Sequence, residues 1–253
     1  MGQFDLVGRT ALITGGSSGI GLALGRRLLR RGAARLVVVG RDEARLAAVA
    51  ADLGPSVETL CADLSVQAEV DRLLVEVPKL APDLSLLINN AGTQLLTDLA
   101  ARDAATVIPA LNAEIAANFA AVVALSVGLL PVLSCQPSAA IVNVTSGLAL
   151  APKSSSPVYC ATKSAVRSFT RALRYQCEER LPHVRVVEAL PPLVDTQMTA
   201  GRGRGKISAD ACAAEIIEGL VAGRREIYVG KTKLLRAIMR VAPALGHRIM
   251  RRG

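Results

Sequence analysis

Tyr159 and Lys163 are the residues whose types and spacing first point to chemistry. They lie in the stretch PVYCATKSAV, residues 157–166, and Tyr159 is one of only 3 tyrosines in the chain. Residues four apart on a helix share a face, so both side chains can enter one pocket. We expect the lysine ammonium to lower the pKa of the tyrosine, about 10 in a free side chain, so that the phenol can exchange a proton with a substrate. The alternative is a packed tyrosine beside a solvated lysine.

A glycine-rich turn supplies the second chemical signal. The segment ALITGGSSGIGLAL places Gly15, Gly16, Gly19 and Gly21 between an apolar strand and a helix. Glycine lets the backbone approach phosphates, and the free N–H groups and dipole of a helix start favour negative charge. The spacing is T-G-x-x-x-G-x-G rather than the common G-x-G-x-x-G, and a plain tight turn is the alternative. Because strand, turn and helix coincide, the segment predicts a site for the pyrophosphate of a dinucleotide.

The end of the second strand distinguishes between the two nicotinamide cofactors. An acidic residue there would bind the ribose 2′-hydroxyl of NAD, whereas an arginine accommodates the 2′-phosphate of NADP. The sequence reads VVVGRDEAR, with Arg41 at this point. Asp42 follows, but we expect it to cap the helix that begins at Glu43. We therefore predict that NADP(H) is preferred over NAD(H), with a merely solvated Arg41 as the alternative.

The elements that position these residues alternate along the whole chain. Apolar, β-branched runs are each followed by a helical pattern: RTALIT, RLVVVG, VETLCADL, DLSLLINNAG, AAIVNVTSG, VRVVEAL and EIYVG. Uniformly apolar strands indicate a parallel sheet that is covered on both faces. The sequence predicts an α/β, single-domain Rossmann fold, a doubly wound parallel sheet of about seven strands with helices on both faces. We place this domain at residues 1–230 and a basic tail at 231–253.

Charge and composition argue against several other classes of protein. The net charge is +9, but residues 231–253 hold seven basic residues and no acidic one, so the main domain lacks the basic face of a nucleic-acid-binding protein. The 5 cysteines and 2 histidines show no metal-ligand spacing. The start of the chain matches no signal peptide, and Leu6 stands where a myristoylation motif needs Ser or Thr. We expect a cytoplasmic protein with no metal and no nucleic-acid partner.

Two segments raise the question of a membrane. Residues 115–152 carry no charge and are long enough for a span, but Asn118, Ser126 and Pro131 interrupt them, so we expect a buried helix that Pro131 ends. The tail KTKLLRAIMRVAPALGHRIMRRG mixes apolar residues with arginines at helical intervals. We expect it to pack on the domain or on a neighbouring subunit, with peripheral contact to an acidic membrane as the alternative.

Four motifs in order give the chain a resemblance to a known family. They are TGGSSGIG at 14–21, NNAG at 89–92, Ser146 thirteen residues before the tyrosine of YCATK, and PPLVDT at 191–196. Together they resemble the short-chain dehydrogenase/reductase family over residues 7 to about 230. The segments VTSGLALAPKSSSPVYCATKSAV, LPPLVDT and EIYVG are similar to its DltE-like branch.

The resemblance implies a catalytic tetrad and a chemistry. Family members oxidise alcohols or reduce carbonyl compounds with NAD(P)(H), and their tetrad falls here on Asn118, Ser146, Tyr159 and Lys163, with Asn112 as a competitor for the asparagine. Tyr159 would move the proton, Ser146 would hold the substrate oxygen and Lys163 would bind the nicotinamide ribose. Asn118 would hold a water that links Lys163 to solvent.

The resemblance also implies the remaining contacts to the cofactor. The residues concerned are Gly15, Ser17, Ser18, Gly19, Ile20, Gly21, Arg41, Asp63, Leu64, Asn90, Ala91, Gly92, Tyr159, Lys163, Pro191, Val194 and Thr196. The family usually has Pro-Gly where this chain has Pro191-Pro192, which predicts a stiffer turn. Residues 193–210 correspond to a substrate lid. Its cations Arg202, Arg204 and Lys206 would attract an anionic substrate or would simply be solvated.

These observations predict an NADP(H)-dependent oxidoreductase that acts on a small carbonyl compound or secondary alcohol. The alternatives are a non-catalytic NADP-binding scaffold and a membrane-peripheral protein that uses the same fold. The resemblance further implies a homodimer or homotetramer formed through the helices around 115–133 and 158–180.

Overall fold

Strands and helices alternate along the chain in a computed structural model that describes residues 3–101 and 103–251. The strands are β1 (Thr10–Thr14), β2 (Arg35–Gly40), β3 (Val57–Cys61), β4 (Leu84–Asn89), β5 (Ala139–Val144), β6 (Val184–Leu190), β7 (Val194–Asp195), β8 (Ile207–Ser208) and β9 (Glu226–Tyr228). One parallel sheet has the order β3-β2-β1-β4-β5-β6-β9, and the short strands β7 and β8 pair separately. The predicted doubly wound sheet is confirmed.

Helices cover both faces of this sheet. They are α1 (Gly19–Arg30), α2 (Glu43–Leu53), α3 (Gln67–Leu80), α4 (Ala104–Ile115), α5 (Ala121–Gly128), α6 (Leu130–Ser134), α7 (Pro157–Arg180), α8 (Ala209–Val221), α9 (Thr232–Val241) and α10 (Pro243–Met250). Neighbouring strand residues alternate between two apolar cores: Ile13 packs with α1, α2 and α8, whereas Leu12 packs with α3, α5 and α7. Of the predicted domain and tail, residues 1, 2, 102, 252 and 253 lie outside the described residues.

A row of buried polar side chains crosses the sheet near its carboxyl edge. The strand register aligns Thr14 with Asn89, Asn89 with Asn143, and Asn143 with Glu188. The Asn89 Nδ2 group donates to Asn143 Oδ1 at 2.8 Å and to Ser126 Oγ at 3.0 Å. Because buried polar groups need partners, these bonds fix the strand ends from which the functional loops depart.

The long apolar helix of the sequence contains a π-helical turn at residues Ala116–Ala120, between α4 and α5. The N–H group of Ala121 donates to the Ala116 carbonyl, five residues back. The prediction that Pro131 ends this helix is wrong, because α5 ends at Gly128 and Pro131 lies in the first turn of α6. A proline is tolerated there because the first N–H groups of a helix have no intrahelical partner.

By length and composition alone, the helical segment Ala104–Gly128 is the one part of the described chain that is long and apolar enough to cross a membrane. Such a test also selects core helices of globular folds. Here Glu114, Asn118 and Ser126 are buried against the rest of the domain, and Leu125 belongs to one of the two cores. The segment is thus an integral element of the fold.

The basic tail forms α9 and α10, which pack on the domain. Leu235 is buried against the loop at Gly147, and the Arg236 guanidinium lies 4.5 Å from the centre of the Tyr228 ring. The Arg251 carbonyl accepts hydrogen bonds from the backbone N–H and the hydroxyl of Ser154, both at 3.0 Å. The tail therefore packs as expected, while its contact with a membrane surface stays a prediction.

Candidate active site

A cavity of about 790 Å³ opens at the carboxyl edge of the sheet. It extends over the glycine turn, the end of β2, the NNAG segment, the start of α7 and the lid. Every predicted site residue lines it except Gly21 and Asn118, which lie behind its wall. Residues that are far apart in sequence are thus brought to one chamber, whose size is typical of ligand sites.

The glycine turn forms a cradle of backbone that borders the cavity. Gly15 has a φ of +65°, and a Cβ atom there would lie 2.9 Å from Ala91 Cα. A Cβ atom on Gly21 would lie 2.2 Å from the Gly15 carbonyl oxygen. The Thr14 hydroxyl accepts hydrogen bonds from the N–H groups of Asn90 and Ala91, which ties the turn to the NNAG segment. Only glycine fits at these positions, and the resulting cradle suits the phosphates of a dinucleotide.

The far end of the cavity carries the residues that would meet the adenosine. Arg41 is exposed and lines the cavity beside Asp63, whose pKa is lowered by hydrogen bonds from Ser65 and by the charge of Arg41. Asp42 caps α2 as predicted: its carboxylate accepts a hydrogen bond from the Arg45 N–H at 3.0 Å. The Asp42 side chain is therefore engaged with its own helix, whereas Arg41 lines the cavity, and its contact with a cofactor stays a prediction.

Tyr159 and Ser146 meet at the opposite end. The two hydroxyls are hydrogen-bonded to each other, and the Ser146 Oγ atom also accepts from the Leu148 N–H at 3.1 Å. The expected lowering of the tyrosine pKa is not found in the protein itself, because burial raises the pKa of Tyr159 to about 12. The phenol is therefore protonated at neutral pH, which suits it to donate a proton.

Lys163 lies one turn after Tyr159 and is buried. Its Nζ atom donates to the Val144 carbonyl at 2.9 Å and lies 5.8 Å from the centre of the Tyr159 ring. Burial lowers the pKa of this ammonium to about 8, so its charge is sensitive to pH near neutrality. The packed-tyrosine alternative does not fit a lysine that is only 3% exposed beside a cavity.

Asn118 lies within the π-helical turn and clamps the loop after β4. Its Oδ1 atom accepts from the Thr93 N–H at 2.8 Å, and its Nδ2 group donates to the Thr93 carbonyl at 2.8 Å. The competing residue Asn112 is exposed and does not line the cavity. Of the two asparagines, Asn118 is the one near the site, and its predicted water link to Lys163 stays a prediction.

The segment predicted to be a lid, residues 193–210, borders the cavity together with the turn that follows β6. Pro191, Val194 and Thr196 line the cavity, and the Pro191 carbonyl accepts from the N–H of Gly147, the residue after Ser146. The Val194 carbonyl accepts from the Thr199 hydroxyl at 2.6 Å. The Pro191-Pro192 turn thereby holds the serine loop in place.

Glu114 and Gln94 are among the polar residues that line the cavity and that the sequence did not predict. Glu114, one helical turn before Asn118, is buried, and its Oε1 atom accepts from the Leu95 N–H at 3.1 Å. Gln94 follows the NNAG segment and donates from Nε2 to the Ser156 hydroxyl at 3.0 Å. Glu114 could have been predicted from its spacing of four residues from Asn118, whereas nothing in the sequence marks Gln94 as a site residue.

Comparison with known proteins gives this geometry a context. The model of the short chain dehydrogenase family matches residues 9–206. The chain is 39% identical over 238 residues to an uncharacterized oxidoreductase, DltE, of Bacillus subtilis (strain 168), covering 91% of this chain and 92% of that protein. The predicted resemblance, including its DltE-like branch, is confirmed.

Solved structures show the same fold. A short chain dehydrogenase from Burkholderia cenocepacia J2315 in complex with NADP superposes with a TM-score of 0.85 at 27% identity, covering 98% of this chain and 99% of the other. A short chain dehydrogenase/reductase from Burkholderia phymatum in complex with NAD superposes with a TM-score of 0.82 at 24% identity, covering 94% and 96%.

Proposed function

Since this chain belongs to the short-chain dehydrogenase/reductase family of NAD(P)-dependent oxidoreductases, we propose that it interconverts a small carbonyl compound and its alcohol with NADP(H) as the cofactor. One observation carries the proposal. The hydrogen-bonded hydroxyls of Tyr159 and Ser146, with Lys163 beside them, line the same cavity as the glycine cradle.

Different residues of the chain would carry out different parts of this reaction. When bound, NADP(H) supplies or accepts the hydride at the substrate carbon. The glycine cradle and Arg41 would hold the phosphates, and Lys163 the nicotinamide ribose. Ser146 would hold the substrate oxygen, while Tyr159 gives it a proton in reduction and takes that proton in oxidation.

A screen of small ketones and aldehydes tests the proposal. Purified protein and NADPH are mixed with each compound, and the loss of NADPH absorbance is followed. We expect turnover of at least one compound and turnover at least about 10²-fold slower with a Tyr159→Phe variant. Binding of NADPH without turnover of any ketone or aldehyde would instead favour the non-catalytic scaffold.

The pH dependence of carbonyl reduction follows from the two shifted groups. We expect kcat/KM to be flat between about pH 6 and about pH 7 and to fall as the pH rises through about 8, because kcat/KM reports pKa values of the free enzyme. Lys163 loses its charge as the pH rises through its pKa of about 8, whereas Tyr159, with a pKa of about 12, stays protonated. The measurement is a pH–rate profile. In Lys163→Arg the fall should move to higher pH, since guanidinium stays charged. A rise in kcat/KM above pH 8 would contradict the assignment.

Arg41 is expected to select the phosphorylated cofactor. The bond between a charged donor and a 2′-phosphate contributes about 1.5–3 kcal/mol, so Arg41→Ala should weaken NADPH binding about 10- to 100-fold and leave NADH within about twofold. Fluorescence titration with both cofactors measures this difference. Arg31→Ala, which removes an exposed arginine at the end of α1, is the control. Equal losses for the two cofactors would show that Arg41 does not read the 2′-phosphate.

The compartment and the oligomeric state of the proposed enzyme are also predictions. We expect a cytoplasmic homodimer or homotetramer, and the exposed apolar side chains of Ile115 and Val127 lie on the helical segment around 115–133 that is expected at its interface.

A further inference from the structure

The three cations of the lid have different surroundings. Lys206 forms an ion pair with Asp195 at 3.2 Å and donates to the Thr199 carbonyl. Arg204 is exposed and does not line the cavity. Arg202 is half-buried and lines the cavity. The sequence did not distinguish these residues, but the structure places only one of the three at the site.

Arg202 is held in place by neutral groups. Its Nη1 group donates to Gln94 Oε1 at 3.1 Å, and Gln94 in turn donates to the hydroxyl of Ser156, which is fully buried. Ser156 immediately precedes α7, the helix that carries Tyr159. This chain of bonds orients the guanidinium relative to the reacting phenol without neutralising it.

A second cation, Lys153, lies near Arg202. Burial and the charge of Arg202 both lower the pKa of Lys153, and the charge of Arg202 also acts to lower the pKa of Tyr159. Within residues 3–101 and 103–251, neither Arg202 nor Lys153 forms an ion pair with a carboxylate. Two neighbouring cations repel each other, so an anion beside Arg202 would be favoured, although Lys153 itself does not line the cavity.

Glu114 supplies a carboxyl group at the same end of the cavity. It lines the cavity, but its Oε1 atom is already bonded to the Leu95 N–H, and burial raises the pKa of its carboxyl, which favours the neutral form. Glu114 and Arg202 act in opposite directions on the pKa of Tyr159, and Arg202 is the cation that lines the cavity while it is bonded to a neutral partner.

We infer that Arg202, held by Gln94 and Ser156, binds an anionic oxygen group of the substrate, so that the enzyme acts on a small oxo acid or the corresponding hydroxy acid. A guanidinium presents paired donors that match the two oxygens of a carboxylate, and it also binds a phosphate or phosphonate group. This inference rests on the proposed function, because it names the substrate class for the same site.

Matched pairs of substrates test the inference. Pyruvate, acetoacetate and levulinate place the carboxylate at increasing distance from the ketone, and each is compared with its neutral primary amide and with a phosphonate of the same chain length. We expect kcat/KM for the best acid to exceed that of its amide at least tenfold. A preference for the phosphonate over the carboxylate would still support an anion site and would identify a phosphate-bearing substrate.

Two variants connect this preference to Arg202. Arg202→Met should lower kcat/KM for the preferred acid about 10- to 100-fold, as expected for loss of a charged hydrogen bond, and should leave the amide within about threefold. The control Arg204→Met removes an arginine of the same loop that does not line the cavity, and it should change neither substrate more than twofold. Acids and amides that react equally well in the wild type, or a preference that survives Arg202→Met, would overturn the inference while leaving the proposed function intact.

A binding measurement decides the inference even where no compound is turned over. The melting temperature of the protein with saturating NADPH is measured with and without each acid. A rise in melting temperature with the acid, absent with its amide and lost in Arg202→Met, supports the anion site independently of catalysis. Equal shifts for the wild type and Arg202→Met would overturn it.

Discussion

Replacing Tyr159 with phenylalanine is expected to lower kcat for carbonyl reduction by about 10²- to 10⁴-fold, the contribution of a positioned general acid. The substitution removes only the hydroxyl that is hydrogen-bonded to Ser146 and that would protonate the substrate oxygen. The ring keeps its place in the wall of the cavity. The loss should therefore fall on the chemical step rather than on binding of the cofactor.

Single-turnover kinetics with preformed NADPH complex measures this effect. Fluorescence titration should give an affinity for NADPH within about threefold of the wild type. Tyr175→Phe is a matched control, because Tyr175 lies on the same helix, α7, and is 56% exposed. Activity of Tyr159→Phe within tenfold of the wild type would exclude the phenol as the proton donor.

Removing Arg167 is expected to have the largest effect on stability. Its guanidinium lies 2.6 Å from the carboxylate of Glu188, which is 2% exposed and also accepts from the Thr145 hydroxyl at 2.7 Å. Burial raises the pKa of Glu188 even against the opposing effect of Arg167. In Arg167→Met this carboxylate would be left buried without its cation, and we expect the free energy of unfolding to fall by about 3–5 kcal/mol.

Urea unfolding of two further variants distinguishes a buried ion pair from a general loss of packing. Arg171→Met removes the next arginine along α7, which pairs with Glu226 but is 48% exposed, and it should cost at most about 1 kcal/mol. The double variant Arg167→Met/Glu188→Gln removes both charges and should recover most of the stability that is lost in Arg167→Met. Additive losses would mean that the two side chains are not coupled.

The parts of the site that the sequence predicted are those that depend on local patterns. The glycine turn, the cap at Asp42 and the pair Tyr159 and Lys163 each lie within one short segment, where spacing alone specifies the geometry. The Ser146 loop required the resemblance to a family in addition.

The remaining features depend on contacts between distant segments. Gln94 meets Ser156 and Arg202, and Arg167 meets Glu188, only because the sheet brings their elements together. In the protein without a bound cofactor, the pKa of Tyr159 lies above its ordinary value, because burial is a property of the whole fold, which spacing along a helix does not report.

The π-helical turn around Asn118 makes the length of this helix as important as its composition. Such a turn contains one residue more than the α-helical path between the same ends. Deleting a single codon between Ala116 and Ala120 would let the segment relax to an ordinary helix and would rotate α4 by about 100° relative to α5. Ser126 could then keep its bond to Asn89 only if Glu114 and its neighbours turned away from the cavity. The protein should thus tolerate substitutions along the outer surface of this helix far more readily than the insertion or deletion of one residue.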